Sequence, residues 1–329
     1  MQTLIYSWSW DLPPDSQERI DIWLTKQFPY SRNFFHHIIE RGGVSVNKKQ
    51  IKKSHKLKEG DQILIDDLSR YLSPVILDES PNIKIPVVLE KEDYLVINKP
   101  KWVLSHPNSV REVSQPSVVG FLYHNYKNLP TIWNFIRAWL LHRLDKDTDG
   151  LMIIAKTEKW LSHFKKLFQQ KSESDHIQDK EAAPIKKFYR ATCYITDEWR
   201  DFLSDISSQL PYYIQEIVIP KIPHYTPKLW ITKILSFCAP LACPEVWREK
   251  ELSALADWGF KKNKSVSLMK LNLEILTWRT HQIRYHLSTH WLPIVGDYLY
   301  WKEEEIPMQL TAYKLEFTDP DWDNIKLEI

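Results

Sequence analysis

Apolar residues recur at helical spacing at Ile20, Trp23, Leu24 and Phe28, and again at Phe34, Phe35, Ile38 and Ile39. This pattern predicts two short amphipathic helices, the second capped by Ser31 and stopped by Gly42 and Gly43. Short runs at Val44–Val46 and Ile63–Ile65 then read as strands, joined by a lysine-rich connection ending in the turn residues Glu59, Gly60 and Asp61. Residues 19–66 are therefore expected to form a small α/β unit. Residues 67–84 have no clean periodicity and contain two prolines, so they read as a linker.

From residue 85 to 329 the chain alternates short apolar runs with polar turns. SVVGFLYHNY reads as a helix, and Leu151–Ala155 is an uninterrupted apolar run of strand length. Thr157 is placed to cap a helix whose apolar stripe is Trp160, Leu161, Phe164, Leu167 and Phe168. KSESDHIQDKEAAPI, residues 171–185, is polar and reads as an exposed irregular insertion. Strand patterns return at 187–195, 266–276 and 310–317. Few βαβ repeats are visible, so the expected class is α+β: a mixed or antiparallel sheet domain preceded by the small α/β domain.

Composition sharpens this picture in two ways. No run reaches the 18 or so uncharged apolar residues of a membrane helix, and the opening segment lacks a signal-peptide pattern, so a cytoplasmic protein without a membrane partner is expected. Cys193, Cys238 and Cys243 lack disulfide or zinc spacing and read as buried small hydrophobes. The second point is an anomaly. The chain has 7 Gly and 15 Trp, whereas average usage predicts about 23 Gly in a chain of this length.

The formal net charge is only +2, but it is unevenly spread. Residues 31–60 carry eight basic side chains (Arg32, Arg41, Lys48, Lys49, Lys52, Lys53, Lys56 and Lys58) against two acidic ones, and residues 301–329 carry three against eight. A basic block of this kind is either a solvated face or a phosphate-backbone contact. The pattern RIDIWL, Ser31–Arg32, RGGVSVN and KLKEGDQILI resembles the S4 RNA-binding module. That resemblance favours the second reading and implies RNA contacts at Arg32, Arg41, Lys48, Lys49, Lys52 and Lys53.

The segment HRLDKDTDG, residues 142–150, places charged side chains in a turn directly before the buried run Leu151–Ala155. If Arg143 to Asp145 are extended, those two share a face, and an ionised carboxylate there needs a counter-charge, for which Arg284 in TWRTHQIRYHL is a candidate. His142 reads as structural. His281, His286 and His290 do not have the spacing of a metal-ligand triad, and no metal is expected.

LLHRLDKDTDGLMIIAKT resembles the signature of RluA-type pseudouridine synthases, which isomerise uridines in RNA. LEKEDYLVINKPKWVLSHP, KKFYRA, TWRTHQIRYHLSTHWLPIVGDYLY and LTAYKLEFTDP are similar to further motifs of that family, in the same order. The resemblance implies that Asp145 is the catalytic nucleophile or base, that Arg284 pairs with it, and that Tyr189 packs on the target base and helps remove its C5 proton. It also implies that Arg143 takes part in extruding the base, with Lys187 and Arg279 as supports. No cofactor is implied, because the reaction is an isomerisation. The implied partner is RNA, with large-subunit rRNA ahead of tRNA, and a monomer is expected. Two other readings stand beside it: a catalytically inactive S4-type RNA-binding or assembly factor, and a glycosidic hydrolase.

The chain departs from the family pattern at several places. Asp149 stands where Ser or Thr is usual, close enough to Asp145 to raise its pKa, and Thr311 stands where His is usual. Trp102, Trp139, Trp278, Trp291, Trp301 and Trp322 all stand where the family typically has glycine. Trp is a poor substitute where φ is positive or backbones pass closely, and Trp278 is expected to crowd the cleft. These six are read as glycines in the living protein, encoded by UGA in a lineage that decodes it as glycine. UGG codons at these positions would sink that reading.

Overall fold

A computed structural model describes residues 4–7, 18–28, 32–58, 60–66, 80–107, 112–126, 140–173, 176–195, 209–218, 228–238, 268–302 and 305–329. The chain divides into two compact units, Met1–Ile85 with Leu104–Leu140, and Pro86–Val103 with Leu141–Ile329.

In the first unit the two predicted helices form as α1 (Ile20–Gln27) and α2 (Arg32–Glu40). Ser31 lies outside the described residues. The apolar positions that define the helices pack with β2 (Val44–Val46), Leu57 and β4 (Gln62–Ile65) into one buried cluster. Asn47 and Lys48 both have positive φ, 52° and 61°, and make the two-residue turn from β2 into β3 (Lys49–Gln50). An upstream strand, β1 (Leu4–Ser7), which the pattern did not reveal, adds to β4 and gives the order β1-β4-β2-β3. SVVGFLYHNY yields α3 (Val118–Asn125), capped by Ser117 Oγ accepting from the Gly120 N–H. Most of the expected linker, 67–79, lies outside the described residues.

The second unit is built on a mixed sheet, as expected. Its strands are β5 (Val87–Glu90), β6 (Tyr94–Lys99), β7 (Asp149–Ala155), β8 (Ile185–Tyr194), β9 (Tyr212–Val218), β10 (Lys228–Cys238), β11 (Leu268–Ile275), β12 (Leu310–Thr318) and β13 (Asn324–Glu328). The order is β5-β6-β7-β12-β8-β11-β10-β9, with β13 on β12. Among the described strands only β7 and β12 pair in parallel, with Thr311 opposite Asp149 and Ala312 opposite Gly150. That pairing requires glycine at 150, where φ is 122° and a Cβ would lie 2.3 Å from the Ala312 carbonyl oxygen. Cys193 is a buried free thiol on β8, in line with its reading, whereas Cys243 lies outside the described residues.

Helix α4 (Glu158–Glu173) buries the predicted stripe against the sheet, with Trp160 stacked on Tyr94 at 4.5 Å. Residues 171–173 and 176–185 do not form the expected exposed irregular insertion: α4 runs to Glu173, α5 (Ile177–Ala182) follows, and Lys171 and Lys180 are buried. The Lys171 ammonium donates to the Ile185 carbonyl and pairs with Glu274, and that of Lys180 donates to the Lys171 carbonyl. Long cationic side chains whose stems are covered and whose charges are partnered look polar in a hydropathy pattern.

Candidate active site

Asp145 sits in the turn that leads into β7, closed by a hydrogen bond from the Thr148 N–H to the Asp145 carbonyl. The turn is held from two sides. His142 accepts the Ile153 N–H on its Nε2 at 3.1 Å, which is the structural role expected of it. From the end of β6, the fully buried Lys99 ammonium donates to the carbonyls of Pro100, Val103 and Lys146. Burial lowers the Lys99 pKa to about 8, against the opposing pull of Asp149, Asp147 and Asp145. Lys99 was not singled out in the sequence, since a lysine ending an apolar strand gives no sign that it will be enclosed.

Arg284 comes from α6 (Gln282–Thr289) and is only 3% exposed. Its NH1 lies 3.7 Å from Asp145 Oδ2, which brings together the pair the resemblance implied. Its tighter partner is Asp297: Nε donates to Oδ2 at 2.8 Å and NH2 to Oδ1 at 2.7 Å, a bidentate buried pair. Burial works against the cation, but Asp297 and then Asp145 outweigh it and raise its pKa. Asp297 Oδ1 also accepts the N–H groups of Leu299 and Tyr300, so the carboxylate that aims Arg284 is itself fixed by backbone. Gly296 makes this possible, with φ of 76° and no room for a Cβ, which would lie 2.4 Å from the Ile306 carbonyl oxygen. Asp297 was contained in the quoted segment IVGDYLY, but nothing in its spacing linked it to Arg284.

Asp145, Arg284, Tyr189 and Arg143 line one small cleft of about 60 Å³. Tyr189 projects from β8, and burial, followed by the Asp145 charge, pushes its phenol pKa up. The phenol therefore stays protonated at neutral pH: suited to packing, poor as a base. Arg143 donates from NH2 to Thr280 Oγ1 at 3.0 Å. His281 also lines the cleft, with Nε2 3.8 Å from Asp145 Oδ1 and Nδ1 3.1 Å from the Tyr300 hydroxyl.

The departures from the family pattern have clear placements. Asp149 and Thr311 are neighbours, with Thr311 Oγ1 donating to Asp149 Oδ1 at 2.9 Å, and Lys101 lies 3.9 Å from the same oxygen. Trp278 does not crowd the cleft and is not among its lining residues. Its ring meets Phe168 edge-on and lies 4.5 Å from the Lys187 ammonium, and its buried Nε1 has no hydrogen-bond partner among the described residues. Lys187 is thus buried among aromatic rings beneath the sheet, and burial, then the charge of Lys171, lowers its pKa strongly. Trp139 lies outside the described residues. Trp102, Trp291 and Trp322 have left-handed backbone, with φ of 61°, 60° and 67°.

In the first unit, Lys48, Lys49, Lys52 and Lys53 are exposed, and Lys49 and Lys52 line a concavity beside the β2–β3 turn. Arg41 is exposed at the end of α2. Arg32 has a structural commitment that the sequence did not show: its Nε donates to the buried Asp21 at 2.8 Å. About half of its side chain remains solvent-exposed.

The cleft sets a carboxylate against a fixed guanidinium and a buried tyrosine beside the interior strands β7 and β8 of the mixed sheet. The RNA pseudouridylate synthase family profile matches residues 93–289, more than half of the chain, and the S4 domain profile matches residues 18–63. The chain belongs to the RNA pseudouridylate synthase family. It is 28% identical over 301 residues to an uncharacterized RNA pseudouridine synthase of Aquifex aeolicus, covering 90% of this chain and 81% of that protein. It is 29% identical over 300 residues to the ribosomal large subunit pseudouridine synthase D of Buchnera aphidicola, covering 87% and 76%. The solved structure of human RNA pseudouridylate synthase domain containing 1 aligns with a TM-score of 0.49 and 16% identity, covering 76% of this chain and 84% of that one. Among the described residues no helix is long and apolar enough to cross a membrane.

Proposed function

We propose that this enzyme isomerises specific uridines of large-subunit rRNA in the cytoplasm, with Asp145 acting at C1′ of a flipped nucleotide. The observation that carries this reading is the Asp145–Arg284–Asp297 arrangement, in which a bidentate buried pair holds a guanidinium against the reacting carboxylate. Arg284 supplies a counter-charge to Asp145, Tyr189 supplies an apolar face for the uracil, and Arg143 at the cleft mouth braces the gap left in the RNA. Lys48, Lys49, Lys52, Lys53, Arg41 and the exposed part of Arg32 hold phosphates. The rRNA assignment rests on the similarity to synthases named for the large ribosomal subunit. The family match, together with all three site residues, favours an enzyme over an inactive RNA-binding factor.

Incubating the protein and its Asp145→Asn variant with rRNA and with tRNA, then mapping pseudouridine, tests this reading. Pseudouridine from the wild type in rRNA, and none from Asp145→Asn with an unchanged melting temperature, is the expected result. Product confined to tRNA would overturn the rRNA assignment, and released uracil would favour a hydrolase.

A further inference from the structure

His281 occupies a position that neither helix capping nor ordinary backbone preference explains. It precedes α6 with φ of 58°, in the left-handed region, and its side chain makes no capping hydrogen bond. A non-glycine residue held in that conformation costs roughly 1–3 kcal/mol, and such strain concentrates at functional sites. The strain here aims an imidazole at the cleft. Nε2 faces Asp145 Oδ1 at 3.8 Å and Nδ1 is fixed by the Tyr300 hydroxyl at 3.1 Å. Tyr300 is in turn anchored through its N–H to Asp297, the residue that holds Arg284. One carboxylate therefore sets both the guanidinium and the imidazole.

We propose that His281 is a further catalytic residue, the base that takes the C5 proton of the rearranged uracil. The inference rests on the reading of the site as a pseudouridine synthase. After C1′ has been transferred, C5 carries both its hydrogen and the new bond to the sugar, and N1 is doubly bonded to C6. Nε2 accepts the proton, the C–H electron pair becomes the C5–C6 double bond, and the N1–C6 π pair moves to N1, which takes a proton from water. The imidazolium that forms lies against the Asp145 carboxylate, free by then of its role at C1′, and returns its proton to solvent. Tyr189, the alternative base, is held in its protonated form by burial and by Asp145.

The charged groups around the imidazole fit this role. Burial lowers the His281 pKa, Arg284 and Arg143 act in the same direction, and Asp145 and Asp297 oppose them. The base is thus neutral at pH 7, with Nδ1 hydrogen-bonded to the Tyr300 hydroxyl; the tautomer that carries its proton on Nδ1 leaves the Nε2 lone pair facing the cleft.

The test is single-turnover kinetics of wild type and His281→Gln on target RNA carrying either uridine or 5-deuterouridine, across pH. Pseudouridine formation by His281→Gln is expected to fall about 100-fold in rate, the lower end for loss of a general base. RNA affinity should not change, and a primary deuterium isotope effect should appear as C5 deprotonation becomes rate-limiting. The wild-type rate should fall at acid pH with a limb below 6.5 that the variant lacks. His281→Asn, which keeps a polar partner for Tyr300, replaces His281→Gln if the latter fails to fold. Equal rates without an isotope effect, or a loss confined to RNA affinity, would overturn the assignment while leaving the enzyme reading intact. Absence of pseudouridine from the wild type would overturn that reading and the assignment with it.

Discussion

At the scale of single residues, the tryptophans are where sequence and backbone conflict. Trp102, Trp291 and Trp322 hold left-handed φ, and they are 54%, 55% and 84% exposed. Trp301, another of the six, is 44% exposed. Their rings therefore gain little burial to offset a conformation that side-chain-bearing residues rarely adopt, and Trp322 gains least. Glycine adopts the same φ without penalty, at the cost of a more flexible unfolded chain. Trp322→Gly is expected to stabilise the protein by roughly 1 kcal/mol in denaturant titration. Trp102→Gly and Trp291→Gly should each give somewhat less, because about half of each ring is covered. If all three destabilise, the left-handed backbone is not a constraint on these positions. The codons test the origin of the conflict, with UGA expected at each. The structure thus turns a composition anomaly into local geometry at three positions, while Trp278, packed on Lys187 and Phe168, is a different case: Trp278→Gly would open a cavity beside a buried cation.

At the scale of elements, α1 to α4 were legible because their apolar faces repeat at helical spacing, and β7 because its run is unbroken, whereas α5 and α6 were not. What stayed hidden was polar and long-range. Asp21 reads as an ordinary acidic residue in the first turn of α1, yet it is fully buried and accepts hydrogen bonds from Arg19 and Arg32 and pairs with His36 on α2. Burial alone would raise its pKa. The bonds from Arg19, His36 and Arg32 outweigh that and lower it from 3.8 to about 2. A folded-state pKa below the unfolded one stabilises the fold above pH 3.8, and this contribution is lost as pH falls toward 2. It amounts to roughly 2 kcal/mol at neutral pH. Asp21→Asn should therefore lower the stability of the first unit at pH 7 and weaken its pH dependence between 4 and 2, as followed by urea unfolding. Unchanged acid sensitivity in the variant would show that Asp21 is not the group responsible. The same kind of hidden partner explains Asp297: the aspartate visible in the motif at 145 was readable, whereas the one that orients its arginine, and the imidazole beside it, depend on a turn whose geometry is set by Gly296.

At the scale of the whole molecule, charge is segregated along the chain: basic in residues 31–60, acidic in residues 301–329. The near-neutral total conceals it. Such a distribution favours phosphate contact through one segment, and each lysine that neutralises a phosphate contributes about 0.7–0.9 to the salt slope of RNA binding. Lys48, Lys49, Lys52 and Lys53 are exposed around the β2–β3 turn and lie apart from the core cluster of that unit, so neutralising them leaves the fold in place. Replacing all four with glutamine should weaken RNA binding and reduce the slope of log K against log salt by about 3. If these lysines deliver RNA without taking part in the chemistry, kcat at saturating RNA stays near wild type while KM rises. A variant with an unchanged salt slope would place the RNA elsewhere. A fall in kcat at unchanged KM would instead mean that this segment shapes the reacting complex, so the two parameters separate delivery of the RNA from its alignment for reaction.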